Sequence, residues 1–353
     1  MDREKLYAQR RDAARELLNK ADVPALLVTN LKNVRYLTGF SGSNAALLLT
    51  TDGKELLGTD GRYTTQVADE APGIEVLIER DTVPAVRRAF DGKIGVETSL
   101  NLGEAQRLGD YTVTQDLIED LRMTKDESEI AALDAAAAVA DKAWLSLLED
   151  EVIREAVPEN IVAAELEYRM RKFGADGISF ETIVASGVNG AKPHHSASTD
   201  PIPKGLITID FGVYLNGYAS DQTRLVSVGE PPEKQREIAD TVYRAFLAGC
   251  EALRPGAGLF AIDKVCRDII DDAGYGEYFV HSTGHGVGLD VHERPYSASR
   301  TDKSKTIDVG QTLTIEPGIY VPGLSGARIE NTLVVTEDGS RPLNTSSPAL
   351  TVV

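Results

Sequence analysis

The chain has 353 residues and a net charge of −18, from 55 acidic against 37 basic residues. This length predicts two domains rather than one core, and 42% apolar with 26% charged residues is typical of a globular protein. The acidic balance argues against nucleic acid or an anionic membrane as a partner, because no basic field exists to bind phosphate.

The N-terminal third has the pattern of a small α/β domain. Residues 4–20 predict an amphipathic helix, and no apolar segment follows it as a secretory signal would require. Short apolar strands then alternate with helical segments. The predicted strands are 25–29, 45–50, 74–78 and 93–96, and the predicted helices are 63–71, 83–90 and 102–108.

The pattern changes near residues 122–126, and we expect one domain over 1–123 and a second over 124–353. A long alanine-rich helix is predicted at 127–150. It opens with Asp126-Glu127-Ser128-Glu129, and early acidic residues suit the positive end of a helix.

The second domain continues with a predicted helix at 158–174, and from residue 182 strands alternate with helices at 231–253 and 260–274. Cys250 and Cys266, the two cysteines of the chain, fall in these last helices. Two cysteines exclude a disulfide framework, and their scarcity predicts a reducing, cytoplasmic location. No apolar run approaches the roughly 20 residues that span a bilayer.

Two acidic segments of the second domain repeat one another. Residues 208–214 read Thr-Ile-Asp-Phe-Gly-Val-Tyr, and residues 314–320 read Thr-Ile-Glu-Pro-Gly-Ile-Tyr. Each is followed by a further acid in a matching phrase, Asp221-Gln-Thr after the first and Glu330-Asn-Thr after the second. The repetition predicts a pseudo-twofold domain in which each half offers a pair of carboxylates.

The first pair is expected on a hairpin. Asn216-Gly217 is a typical tight turn, and folding back about it pairs Asp210 with Thr223. Because strand side chains alternate, Asp210 and Asp221 then point to the same face. Taken alone, this pair could equally be a turn cap and a solvated acid.

The second pair requires a less regular hairpin. Glu316 and Glu330 are an even number of positions apart, so they share a face only with an odd-length loop or a bulge. Residues 322–326 offer such a loop, and Pro317 cannot donate a ladder hydrogen bond.

Four carboxylates at one place need a highly charged cation between them, because like charges repel strongly at low dielectric. The chain's five histidines all lie at or after residue 194, and His285, flanked by glycines between the two acidic segments, is the candidate imidazole ligand. No role is predicted for His195 or His281. The oxygen-rich set suits two divalent ions such as manganese, cobalt or zinc, and ions about 3.5–4 Å apart can hold a bridging hydroxide for amide or ester hydrolysis.

These residues resemble the pita-bread metallopeptidases, and within them the Xaa-Pro peptidase branch of prolidases and aminopeptidase P. The resemblance rests on Gly217-Tyr-Ala-Ser-Asp-Gln-Thr-Arg224 and Glu316-Pro-Gly-Ile-Tyr320 together with His285. It extends to the N-terminal domain through Asn33–Asn44 and Asp60-Gly-Arg-Tyr63. The resemblance implies an α/β fold in which a small N-terminal domain precedes a pita-bread catalytic domain.

The resemblance also implies the residues of the metal site. Asp210 and Asp221 would bind one ion, His285 and Glu316 the other, and Asp221 and Glu330 would bridge them. Glu316 would in addition take a proton from the attacking water.

Further roles carried over from the family concern the substrate and the surroundings of the metals. His194 and His292 would position substrate and steady the tetrahedral intermediate. Arg328 would hold Glu330 or the substrate, and Tyr218 and Arg224 would support the metal ligands from outside.

The implied substrates are small proline-containing peptides, cleaved either as Xaa-Pro dipeptides or from the N-terminus of longer peptides. Tyr296 stands where some archaeal prolidases carry an arginine for the dipeptide carboxylate, which weakens a dipeptide-only interpretation. A homodimer is expected by resemblance, with the loops Gly39–Asn44 and Asp60–Tyr63 as candidates for shaping a partner's pocket. The alternatives are a metal-free creatinase-like amidinohydrolase and a non-catalytic pita-bread binding module, which differ in lacking the metal ligands retained here.

Overall fold

The computed structural model describes residues 3–353, which form two compact units, one ending at Arg122 and the other spanning Met123–Val353. Within the described residues, no helix is both long and apolar enough to cross a membrane.

The first unit, within residues 3–122, is built on a six-stranded mixed sheet with the order β4-β3-β2-β1-β5-β6. Its strands are β1 (Ala25–Val28), β2 (Ala45–Thr50), β3 (Glu55–Thr59), β4 (Val76–Ile78), β5 (Ile94–Glu97) and β6 (Tyr111–Thr114). The helices are α1 (Arg3–Lys20), α2 (Leu31–Thr38), α3 (Thr64–Glu70), α4 (Thr82–Arg87), α5 (Leu102–Ala105) and α6 (Leu117–Met123). The predicted α/β class of this part is confirmed.

Several elements of the first unit escaped prediction from sequence, namely α2, β3, β6 and α6. Helix α2 contains valine, tyrosine and threonine, which are poor helix formers, so its composition does not predict a helix. Its limits are set by capping residues. Asn30 caps its start by accepting from the Lys32 N–H, and Gly39 ends it with φ +82°. Strand β6 pairs only with β5, and Thr112 and Val113 are exposed, so no buried alternation marks it.

The second unit contains four long helices, α7 (Glu127–Glu149), α8 (Glu159–Lys172), α9 (Glu233–Ala252) and α10 (Leu259–Asp272), within residues 123–353. Each lies within three residues of its predicted limits. Helix α7 begins with a capping box, in which Asp126 accepts from the Glu129 N–H while the Glu129 carboxylate accepts from the Asp126 N–H.

The strands of the second unit form several small antiparallel sheets, one of which also has a parallel strand at its edge. The first group is β7 (Gly177–Ile178), β8 (Ile183–Ser186), β9 (Gly205–Phe211), β10 (Val213–Leu215), β11 (Tyr218–Ala219) and β12 (Gln222–Val228). The second group is β13 (Gly284–Gly286), β14 (Glu293–Ser297), β15 (Thr312–Ile315), β16 (Gly318–Val321), β17 (Ser325–Arg328), β18 (Asn331–Thr336), β19 (Gly339–Pro342) and β20 (Thr351–Val352).

The second unit repeats itself in structure as in sequence. Pro158, immediately before α8, forms an isolated bridge with Pro201, and Gly258, immediately before α10, forms one with Thr306. In each half, two helices are followed by the strands that carry one pair of acids. The predicted pseudo-twofold architecture is confirmed at the level of the fold.

Strand β9 lies between the two halves and determines which way Asp210 points. Ile207, Ile209 and Phe211 belong to the apolar core that α7 and α8 build. Leu206 belongs instead to the core of α9 and α10. Because side chains alternate along a strand, Asp210 lies on the same face as Leu206 and points towards the second half of the unit.

Candidate metal centre

The two acid pairs are placed by the registers of their hairpins. Asp210 in β9 lies opposite Thr223 in β12, as the Asn216-Gly217 turn predicts. In the second hairpin Ile315 pairs with Asn331, and Gly318 pairs with Arg328, so the intervening Glu316 and Glu330 face each other. The loop between β16 and β17 is residues 322–324, an odd length as the sequence requires.

The predicted ligands converge at one place. The potential ligand atoms of Asp210, Asp221 and Glu330 lie within 4.8 Å of one another, and so do those of His285, Glu316 and Glu330. The His285 Nε2 atom is 3.3 Å from Glu316 Oε1 and 3.6 Å from Asp221 Oδ2. A third group with the same spacing joins Asp221, His285 and His292.

Burial and the mutual repulsion of the acids oppose the ionisation of two members of this cluster, Asp221 and Glu330. Burial, followed by the charges of Glu330, Asp210 and Glu316, raises the pKa of Asp221 well above its usual value. Burial and the charges of Glu316 and Asp210 do the same to the pKa of Glu330.

Glu316 and His285 behave in the opposite way. Burial opposes ionisation of Glu316, but the His285 hydrogen bond and charge outweigh it, and the pKa of Glu316 falls to about 2. Burial likewise opposes protonation of His285, but Glu316 prevails and raises its pKa.

The donor set fits divalent cations. Asp210 Oδ1 is buried and has no hydrogen-bond partner among residues 3–353, which leaves an acceptor oriented for another ligand. The Nδ1 atom of His285 lies 3.0 Å from the Gly286 carbonyl oxygen, so in the neutral ring Nδ1 carries the proton and Nε2 has the free lone pair. Carboxylate oxygens and an imidazole nitrogen are common ligands of divalent cations in proteins.

Arg328 pairs with Asp210 rather than with Glu330. Its Nη2 donates to Asp210 Oδ2 at 2.6 Å, its Nη1 to the Tyr320 hydroxyl at 2.7 Å, and its Nε to Thr223 Oγ1 at 3.1 Å. Thr223 in turn donates to Glu330 Oε2 at 2.7 Å. The guanidinium therefore orients the acids of both hairpins, one directly and one through Thr223.

Arg224 and Tyr218, which were also predicted to support the metal ligands, have different partners. Arg224 is buried and donates to the Glu330 carbonyl oxygen at 2.7 Å, so it holds the backbone of that acid. The Tyr218 hydroxyl donates instead to Glu129 at 3.1 Å, a contact with helix α7.

The four acids line a cavity of about 670 Å³. His194 and His292 both line it, and the His292 ring centroid lies 4.3 Å from that of His285. The other wall comes from α8 and the segments 180–183 and 193–197. Tyr296 also lines the cavity.

His281 is part of the site although no role was predicted for it. Its Nδ1 lies 2.8 Å from the Ser282 carbonyl oxygen and its Nε2 lies 2.8 Å from the Tyr320 hydroxyl. The Tyr320 hydroxyl also accepts from Arg328, so one chain of hydrogen bonds runs from His281 to Asp210. Burial lowers the pKa of His281, which favours the neutral ring.

His195 and Tyr320 were the other residues missed from sequence. Tyr320 stands in the Glu-Pro-Gly-Ile-Tyr phrase, in which a role is predicted for the acid alone. His195 lines the cavity and bonds to the buried Glu159, 36 positions earlier, a contact that no local pattern reveals.

Comparison with known families agrees with this geometry. The profile described as Metallopeptidase family M24 matches residues 131–337, and the Creatinase/Prolidase N-terminal domain matches residues 10–124. The chain therefore belongs to metallopeptidase family M24, and the predicted resemblance is confirmed.

Individual relatives are similar over nearly their whole length. An Xaa-Pro dipeptidase of Pyrococcus horikoshii is 37% identical over 93% of this chain and 94% of its own. An Xaa-Pro dipeptidase structure from Bacillus anthracis has a TM-score of 0.94 at 36% identity and covers 98% of this chain and 100% of that one. The structure of an X-Pro aminopeptidase from Thermotoga maritima has a TM-score of 0.86 at 34% identity, with coverages of 97% and 99%.

Proposed function

We propose that this metallopeptidase hydrolyses the bond before proline in Xaa-Pro dipeptides or at the N-terminus of Xaa-Pro peptides. The observation that carries the proposal is the buried cluster of Asp210, Asp221, His285, Glu316 and Glu330, which lines a cavity large enough for a short peptide. The substrate class comes from the similar proteins of Pyrococcus horikoshii, Bacillus anthracis and Thermotoga maritima, which are Xaa-Pro dipeptidases and an X-Pro aminopeptidase.

The Xaa-Pro bond makes particular chemical demands. Its nitrogen carries no hydrogen, so peptidases that bind the scissile N–H cannot use it. The amide nitrogen must also receive a proton as it leaves. A site dedicated to this bond therefore needs a general base for water, a proton donor for the prolyl nitrogen and space for the ring.

We assign two divalent ions, of manganese, cobalt or zinc, to the five ligands. Asp210 and Asp221 would hold one, His285 and Glu316 the other, and Asp221 and Glu330 would contact both. Such ions supply Lewis acidity towards the scissile carbonyl and the attacking water.

The protein's own residues supply proton transfer and orientation. Glu316, which is ionised beside His285, is the proposed base for water. His194 is the proposed donor to the departing nitrogen, and His292 steadies the developing oxyanion. Arg328 keeps Asp210 in place from outside the ligand set.

The cavity composition bears on the choice between dipeptides and longer peptides. Among its lining residues, Arg328 alone has a permanent positive charge, and that guanidinium is engaged by Asp210 and Tyr320. A free carboxylate after proline would therefore meet histidines and Tyr296 rather than an available arginine of this unit. This arrangement favours peptides that continue beyond proline.

The decisive experiment is hydrolysis with defined metal content. Protein stripped by a chelator and reloaded with manganese, cobalt or zinc is assayed on Ala-Pro, Ala-Pro-Ala, Ala-Ala and creatine. We expect metal-dependent cleavage before proline and two ions per chain. Full activity without metal, or hydrolysis of creatine instead, would refute the proposal.

Two matched variants test whether the acid cluster holds the metal ions. E330Q removes one charge from the cluster and should lose metal together with activity. E167Q removes one charge from the cavity wall on α8 and should retain its metal content. Equal metal loss in both would show that general charge, rather than the cluster, holds the ions.

We further propose a cytoplasmic homodimer. Cys250 and Cys266 are both unpaired, as in proteins of reducing compartments. In the first unit, the segments Gly39–Asn44 and Asp60–Tyr63 are braced together by Ser43–Tyr63 and Asn44–Asp60 hydrogen bonds of 2.6 Å each. Sedimentation velocity of the full chain tests the dimer directly.

A further inference from the structure

Asp221 and Glu330, the two acids assigned to both ions, stand at the starts of two different strands. Asp221 immediately precedes β12, and Glu330 immediately precedes β18. In the described structure these strands belong to different sheets, so the ladders of hydrogen bonds within the sheets do not set the distance between the two acids. That distance depends on contacts made outside the sheets.

Hydrogen bonds between the two strand starts hold the backbones of both acids. The Glu330 N–H donates to the Thr223 carbonyl oxygen at 3.2 Å, and the Thr332 hydroxyl donates to the Asp221 carbonyl oxygen at 2.9 Å. Arg224 Nη1 donates to the carbonyl oxygens of Thr223 and Glu330 at 3.0 and 2.7 Å. The spacing of the two acids therefore depends on where Arg224 and Thr332 lie.

Arg224 is held by Asp141, a residue of α7 that the proposed chemistry does not use, and by Ser346. Arg224 Nε donates to Ser346 Oγ at 2.9 Å, and its Nη2 donates to the Ser346 carbonyl oxygen at 3.2 Å. The Ser346 hydroxyl in turn donates to Asp141 Oδ1, which lies 3.9 Å from Arg224 Nη2. All three residues are buried, so Asp141 supplies the opposite charge and Ser346 bridges it to the guanidinium.

The residues just before Ser346 hold Thr332 in the same way. The Leu343 N–H donates to the Thr332 carbonyl oxygen at 2.9 Å, and the Thr332 N–H donates to Asn344 Oδ1 at 3.0 Å. The Asn344 amide also donates to Gln222 Oε1, and Gln222 Nε2 donates to Asp141 Oδ1 at 3.2 Å. One buried network thus runs from α7 to residues beside both acids.

A network of this kind fixes positions more than it adds stability. Buried ion pairs often contribute little net stability relative to apolar packing of the same volume. Directional hydrogen bonds, in contrast, define where each group lies. Groups that orient metal ligands from outside typically change metal affinity roughly 10- to 100-fold when they are removed.

We propose that Asp141 and Ser346 are positioning residues for the metal site and act through Arg224. They set the distance between Asp221 and Glu330, and thereby the affinity for the ion that binds second. One ion alone can draw both acids to itself, whereas two ions require both acids at a fixed distance. This inference rests on the proposed assignment of two ions to these acids.

The test is calorimetric titration of the metal-free protein with manganese, fitted to two successive sites. S346A removes the hydroxyl that bonds to both Asp141 and Arg224. T345V is the matched control, because the Thr345 hydroxyl donates to Asp141 Oδ2 at 2.9 Å and has no bond to Arg224 in the described structure.

We expect S346A to weaken binding of the second ion roughly tenfold, with the first ion changed less than about threefold. T345V should leave both affinities within about twofold of wild type. Equal losses in S346A and T345V would contradict a route through Arg224.

A double-mutant cycle tests whether Asp141 and Ser346 act together. D141N keeps the shape of the side chain and removes its charge, and it should weaken the second ion at least as much as S346A does. The double variant D141N/S346A should bind the second ion no more weakly than D141N alone, because both changes break one network. Additive losses would contradict the proposal.

Thermal unfolding of each metal-free variant separates positioning from stability. A lower melting temperature with unchanged affinities for both ions would show a purely structural role and would overturn the proposal. S346A, which leaves the other bonds of Asp141 in place, provides the test if D141N does not fold. Binding of fewer than two ions by the wild type would refute the proposed two-ion assignment itself. Two ions in the wild type with unchanged affinities in S346A would refute only the positioning role.

Discussion

Glu316 and Glu330 face each other across one hairpin, yet their surroundings move their pKa values in opposite directions. Glu316 receives a hydrogen bond and charge from His285, which outweigh burial and lower its pKa to about 2. At Glu330, burial and the neighbouring acids outweigh the opposing effects of Thr223 and Arg328, and its pKa rises. At the scale of the residue, function depends on the neighbours more than on the side-chain type.

His194 is the residue whose proposed role is easiest to separate from metal binding. It lines the cavity and belongs to none of the groups whose ligand atoms lie within 4.8 Å. We expect H194A to lower kcat on Ala-Pro by a factor on the order of 100, because one proton-transfer group is lost, with unchanged metal content. Elemental analysis and steady-state kinetics measure both quantities, and H285A is the control that should lose metal. Metal loss in H194A would show that the residue is misassigned.

At the scale of the element, the site depends on close approaches between strands. A Cβ atom on Gly284 would lie 1.7 Å from the Thr314 carbonyl oxygen, so β13 can lie against β15 only with glycine there. This contact places His285, the next residue, against the acids. The glycine next to the histidine is thus a requirement of strand packing as well as of access to the ion.

G284A is accordingly expected to displace β13. We predict a loss of roughly 1–3 kcal/mol in the free energy of unfolding, from overpacking, together with weaker metal binding. G61A is the control, because a Cβ at Gly61 meets nothing within 4 Å, and its stability should stay within about 0.5 kcal/mol of wild type. Denaturant titration and metal titration test the pair. Wild-type metal affinity in G284A would contradict the argument.

At the scale of the whole molecule, the acid cluster couples metal binding to stability. The net charge of −18 already opposes compaction, and four carboxylates are concentrated in one buried place. Cations that bind the folded site and not the unfolded chain stabilise the fold by mass action.

We therefore expect added manganese to raise the melting temperature and a chelator to lower it. At a free metal concentration about 1,000 times the dissociation constant, the stabilisation should be about 4 kcal/mol. Because the pKa values of Asp221 and Glu330 are raised, protons compete with the cation, and the increase in Tm should shrink as the pH falls. Calorimetry at several pH values measures this, with magnesium as a weaker comparison ion. A melting temperature that does not change when metal is added or removed would contradict this expectation.

Much of the fold was predictable because its signals are local. The long helices of the second unit carry apolar periodicity and caps, and the Asn216-Gly217 turn sets the register that pairs Asp210 with Thr223. Helix α2 and the edge strand β6 were missed because their residue types favour other structures or lack a buried face.

By itself, the sequence determined the family, the two acid hairpins and the candidate ligands, since strand periodicity and turn chemistry act over a few residues. Only the tertiary structure decided that Arg328 orients Asp210, that His281 reaches it through Tyr320, and that Glu159 holds His195. These contacts join residues up to 118 positions apart, and their geometry depends on how the strands and helices pack. No local pattern in the chain carries that information.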